Sequence, residues 1–211
     1  MLVRHFCWSG ITPRQEDWDS NKIVKCIKGE SIKGYVDVTI GGTTLRVDDN
    51  NKEELLRRLW IAFGEVLNAN LAVQSAIVPV PNRVGIVGAS ANYRTLQYAK
   101  AISAASSNKV IAVDALRWKK DAEAAHKQKG FRTPERRYEN LAVVDCPKLP
   151  IILFDDMITS GSSFVAACWR LDQAGNAPKE GFVVARRTAI QEPKMFVSEQ
   201  RELEIPRPPT F

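Results

Sequence analysis

Four consecutive apolar residues, Ile151-Ile152-Leu153-Phe154, run directly into two carboxylates, Asp155-Asp156, and then into Met157-Ile158-Thr159-Ser160-Gly161-Ser162-Ser163. A strand that is apolar at every position, not at every second one, has to be covered on both faces. Such strands belong to parallel sheets, whose neighbours are joined by crossovers that are usually helices. This segment alone therefore predicts an α/β fold, a doubly wound and mainly parallel sheet. Phe164, Ala167, Cys168 and Leu171 follow at helical spacing. Gly175 supplies a stop, so 163–174 reads as the next helix.

The rest of the chain fits that grammar in its second half and departs from it in its first. Residues 22–28 and 33–40 are rich in β-branched side chains, and Gly41-Gly42 makes a two-residue turn into 43–47. Residues 1–50 thus read as a small β segment. Leu55, Leu56, Leu59, Phe63, Val66 and Leu67 recur at helical spacing, which predicts a helix over 52–67. Strands at 76–80, 109–113 and 181–185 alternate with a helix at 93–105, while 117–139 is basic and has no apolar stripe. Residues 188–211 are polar and end in a proline-rich run, as an extended tail or clasp does.

The turn after the apolar strand carries the chemistry. In open α/β sheets ligands collect at the carboxyl ends of strands. A helix N-terminus there offers free backbone N–H groups and partial positive charge to an anion. Gly161 lets backbone approach a phosphate closely, and Thr159, Ser160, Ser162 and Ser163 add hydroxyl groups. Asp155 and Asp156 are placed to accept hydrogen bonds from vicinal ribose hydroxyls. One loop, Ile158 to Ser163 with the two acids before it, holds both halves of a ribose 5-phosphate on this reading.

The run resembles the PRPP-binding signature of type I phosphoribosyltransferases: four apolar residues, two acids, two apolar residues, then Thr-Thr-Gly and a later Thr. Serine replaces threonine at Ser160 and Ser163, which keeps the hydroxyl. Ile77-Val78-Pro79-Val80-Pro81, and Glu135-Arg136 with Asn140 before Leu141-Ala142-Val143, look closest to the ComF-like branch. The Arg-Gly-Phe-Asn pattern that usually opens the first helix is here Ala89-Ser90-Ala91-Asn92-Tyr93, and the N-terminal zinc cysteines of many ComF-like proteins are absent. The resemblance implies a phosphoribosyltransferase-type core over 51–187 and an acceptor-selecting hood over 1–50 with the tail at 188–211. It also implies displacement of pyrophosphate from PRPP by a nitrogen nucleophile, with Mg²⁺ held mainly through PRPP and Asp155 as a further ligand. Asp155 and Asp156 would be the catalytic acids. Arg83, Arg117, Lys119 and Lys120 would meet the pyrophosphate. A second expectation is a non-catalytic module that binds PRPP or a nucleotide and acts through a protein or nucleic-acid partner, as in DNA uptake or phage defence.

Charge bears on the partner. The net +6 is uneven, with eight basic residues against four acidic ones between Arg117 and Asn140. Such a segment suits a polyphosphate or a nucleic acid. No apolar run reaches the ~18 residues that a membrane span needs, and the N-terminal residues lack a secretory apolar core. A cytoplasmic protein, oligomeric or not, is expected. Cys7, Cys26, Cys146 and Cys168 are too scattered for a zinc module. Gly85-Ile86-Val87-Gly88 lacks the start of a dinucleotide loop. His5 and His126 have no nucleophile partner, and Trp118, between Arg117 and Lys119, is placed to stack on a base.

Overall fold

The computed structural model describes residues 2–6, 12–120, 133–188, 196–197 and 205–207. In chain order these form β1 (Leu2–Phe6), α1 (Gln15–Ile27), β2 (Val36–Ile40), β3 (Thr43–Val47), α2 (Lys52–Asn70), β4 (Ser75–Pro79), α3 (Arg94–Ala105), β5 (Val110–Ala112) and β6 (Leu116–Trp118). They continue with α4 (Pro134–Asn140), β7 (Leu141–Val143), β8 (Ile151–Ile158), α5 (Ser162–Gln173), β9 (Glu180–Thr188) and β10 (Phe196–Val197).

The main sheet has the order β10-β1-β9-β8-β4-β5. All neighbours are parallel except β10, which runs antiparallel to β1 at the edge. The apolar strand β8 sits between β4 and β9, with Leu153 opposite Val78 on one side and Gly181 on the other. On one face Ile77, Ile152 and Phe154 pack with Ile23, Leu59 and Ile102 of α1, α2 and α3. On the other, Val78 and Leu153 pack with Leu116, Leu141, Ala167 and Leu171. The expected doubly wound α/β sheet is present, and alternation along a strand explains how one segment serves two cores.

Two close approaches fix the helices. A Cβ on Gly64 of α2 would lie 2.6 Å from the Ala105 Cβ and 2.8 Å from the Ile102 carbonyl oxygen, so α2 and α3 touch backbone to backbone there. A Cβ on Gly181 would lie 2.6 Å from the Phe164 ring, which lets the first turn of α5 settle onto the sheet.

The first fifty residues differ from their sequence reading. The hairpin β2–β3 turns at Gly41-Gly42 as expected, with Ile40 opposite Thr43. Of residues 22–28, expected as a strand, 22–27 belong instead to helix α1 and Lys28 is its C-cap. Asp17, Ser20, Ile23, Val24 and Ile27 recur at three- and four-residue steps on its buried face, and that burial outweighs the β preference of Ile and Val. β1 enters the main sheet beside β9, and Val36, Val38 and Val47 join the same hydrophobic cluster as α1 and α2. The tail contributes β10 at the sheet edge and, through the Pro206 carbonyl, an acceptor for Trp169 Nε1 at 2.7 Å. Among the described residues no helix is long and apolar enough to cross a membrane.

Candidate functional site

At the carboxyl end of β8 a cleft of about 120 Å³ is lined by Asp155, Met157 and Ile158, by the turn Thr159-Ser160-Gly161, by Ser162, Ser163 and Phe164 of α5, and by Arg137 of α4. One water needs only ~10–15 Å³ of such space, so the cleft has room for several water-sized groups. Gly161 is the N-cap of α5 at φ 77°, ψ −7° and brings no side chain to the first N–H groups of the helix. That left-handed conformation is the reason the position is glycine. Ser160 Oγ and Ser162 Oγ lie 2.9 Å apart, and Ser162 N–H reaches Ser160 Oγ at only 3.4 Å. The first turn therefore retains donor capacity facing the cleft, where the helix dipole favours an anion.

The two acids separate. β8 continues through Ile158, so Asp155 and Asp156 are still in the strand and point to opposite faces. Asp155 faces the cleft and accepts the Asp156 N–H at 2.8 Å. Burial, followed by the neighbouring charge of Asp156, pushes its carboxyl well above the usual carboxylate range. Asp156 is buried beneath α3, where Arg94 grips one carboxylate oxygen through Nη2 at 2.6 Å and Nε at 3.0 Å. The same guanidinium donates through Nη1 to the Lys28 carbonyl at 2.6 Å, which ties the end of α1 to the start of α3 and to β8. Asp156, expected to meet a ribose together with Asp155, lies outside the lining of this cleft, because strand alternation turns it toward Arg94.

The expected pyrophosphate cations do not gather at the cleft. Arg117 is 5% exposed. Its Nε donates to Asp114 at 2.8 Å, its Cζ sits 4.7 Å from the Tyr93 ring centroid, and Nη1 reaches the Ile86 and Ser90 carbonyls at 3.3 Å. Tyr93 Oη also donates to Asp114, at 2.8 Å. Arg117 is thus a strut for the loop after β4. Its neighbour Trp118, expected as a base-stacking residue, is buried and donates Nε1 to the Pro81 carbonyl at 2.8 Å. The expectation that 117–139 has no apolar stripe to hold it fails at Trp118 and Tyr138, both buried, the first in β6 where it pairs with β7. Lys119 and Lys120 are exposed; Lys119 Nζ donates to the Glu139 carbonyl at 2.8 Å. Arg83 is exposed on the loop after β4. His126, Lys127, Lys129 and Arg132 lie outside the described residues.

Two site residues escaped sequence reasoning. The period-two pattern of β8 puts Asp156 on the face opposite Asp155, but nothing in the sequence names Arg94, 62 residues away, as its partner. Arg137 was one of eight basic residues in a run, and nothing in its spacing distinguishes it.

An α/β sheet with a cleft at a strand–turn–helix junction is thus the class that fold and site define. No family model matches the chain, and no curated protein matches it. Among solved structures it is similar to a crystal structure of adenine phosphoribosyltransferase, at 16% identity and TM-score 0.41, over 78% of this chain and 89% of that one. It is similar to orotate phosphoribosyltransferase from Aeropyrum pernix, at 17% identity and TM-score 0.39, over 78% and 81%. It is also similar to UMP synthase of Leishmania donovani, at 16% identity and TM-score 0.39, over 80% of this chain and 32% of that one. None of the three bears the ComF-like name.

Proposed function

We propose that the cleft binds the 5-phosphoribosyl part of PRPP or of a nucleoside 5′-phosphate, and that the chain transfers this group from PRPP to a nitrogen nucleophile. The observation behind this reading is the meeting of Asp155 with the glycine-capped first turn of α5 in one cleft at the end of a buried parallel strand. The N–H groups at Gly161 to Ser163 and the hydroxyls of Thr159, Ser160 and Ser162 would hold the 5-phosphate. Asp155 would take the ribose hydroxyls. In the reaction the C1–O bond to pyrophosphate breaks, pyrophosphate leaves with the electron pair, C1–N forms, and the nitrogen loses its proton to water. Positive charge developing on the ribose ring draws Asp155 toward its ionised form, so the chain contributes position and charge.

Among the described residues no three His, Cys, Asp or Glu side chains cluster as a metal site, and Asp155 is the one carboxylate lining the cleft. That donor set fits Mg²⁺ arriving with PRPP, since this ion keeps several waters and uses one or two carboxylates plus substrate phosphates. When bound, the ion would neutralise pyrophosphate oxygens, with Asp155 available to it.

A second reading, a nucleotide- or PRPP-binding module without transfer, is favoured by one observation: Arg117 is consumed by Asp114 and Tyr93 inside the fold. Pyrophosphate release from PRPP and Mg²⁺ with a panel of bases separates the two readings. Binding is tested directly with Gly161→Val, which forces a branched side chain into the left-handed region. Calorimetry should show loss of ribose 5-phosphate and PRPP binding with an unchanged circular dichroism spectrum. Wild-type affinity in the variant would reject the phosphate assignment of the turn.

A further inference from the structure

We propose that Arg137 is the charge-selecting residue of this cleft: its guanidinium pairs with the phosphate and makes the site prefer a phosphomonoester dianion to a monoanionic phosphodiester. The inference rests on the phosphate reading above and adds to it the residue that reads charge.

The argument starts from an imbalance. Residues 155–164 contain two carboxylates and no lysine or arginine. A helix N-terminus offers only about half a positive charge, and Asp155 in the same cleft opposes an anion whenever it is ionised. A dianion there needs a full cation. Among the described residues lining the cleft, Arg137 is that cation, and a planar guanidinium matches phosphate oxygens two at a time.

Its placement is built. α4 has seven residues, too few to hold a helix by themselves. Arg170 of α5 donates Nε to the Tyr138 carbonyl at 2.9 Å, and its Cζ lies 3.8 Å from the Tyr138 ring centroid. Tyr138 Oη donates to Gln173 Oε1 at 2.8 Å, and the ring meets Trp169 edge-on at 5.9 Å. The residue next to Arg137 is thereby clamped to the same helix whose N-terminus faces the cleft. Cation and amide donors are carried by one rigid unit, so less ordering is left for ligand binding.

The test is calorimetry of the full chain with two probes, ribose 5-phosphate and its phosphate monomethyl ester, which carries one charge fewer. Wild type should bind the dianion more tightly. Arg137→Met should lose at least about tenfold for the dianion and much less for the methyl ester, so that discrimination collapses. Arg137→Lys should keep the discrimination, and Arg136→Met, at an exposed neighbour paired with Glu139, should bind both probes as wild type does. If Arg137→Met, folded by circular dichroism, weakens both probes equally or neither, the assignment is overturned while the phosphate reading stands. If wild type binds neither probe, the phosphate reading fails and this inference falls with it.

Discussion

Removing Arg94 should destabilise the whole fold, because the residue neutralises an acid in the sheet and ties two helices to it. The Asp156 side chain is 10% exposed and that of Arg94 is 30%. Breaking a fully buried ion pair by deleting one partner costs about 3–5 kcal/mol. Water reaching the partly exposed guanidinium lowers this to roughly 2–3 kcal/mol for Arg94→Met. At about 2–4 °C per kcal/mol for a chain of this size, Tm should fall by roughly 4–12 °C. Asp156→Asn keeps an acceptor for Arg94 and should cost about 1–2 kcal/mol. The double variant leaves neither charge stranded, so it should be more stable than the sum of the singles implies by at least about 1 kcal/mol. Urea unfolding followed by circular dichroism measures all three. Additive effects within about 0.5 kcal/mol would show that the pair is not coupled and that Arg94 acts only through the Lys28 carbonyl.

Three further outcomes follow from the packing and the cleft. Gly64→Ala should lower Tm: alanine improves helix propensity by about 1 kcal/mol, but contact with the α3 backbone should cost about 2–3 kcal/mol, and a higher Tm would show that the helices part freely. Because the Asp155 carboxyl is raised in the folded protein, ionising it costs stability as pH rises through the folded value. Asp155→Asn should therefore raise Tm at pH 8 and lose that gain toward about pH 4, where the wild-type carboxyl is protonated; a gain independent of pH would contradict this. Arg117→Met should cost about 2–4 kcal/mol in urea unfolding, since it strands Asp114 and frees the loop after β4; a fully stable variant with weakened PRPP binding would restore its expected role at pyrophosphate.

What the amino-acid order determined by itself was local and periodic. The unbroken apolar run at 151–154 demanded a sheet covered on both faces, Gly41-Gly42 demanded a hairpin, and Gly161 among hydroxyls demanded an open turn before a helix. Each rests on backbone geometry or on a strand's two-residue period, which neighbours in sequence express directly. Residues 22–27 are helical although rich in β-branched side chains, because such side chains serve either a strand or a helix face and only the core they enter chooses between them. The tertiary structure alone decided which charges matter. Arg117 and Arg137 stand in one basic stretch, yet one is buried as a strut against Asp114 and the other lines the cleft. Asp155 and Asp156 are adjacent, yet one faces the cleft and the other faces Arg94, sixty-two residues away in sequence. Charge acts through space at a few ångströms, and the separation of two groups along the chain says nothing of that distance until the strands and helices are packed.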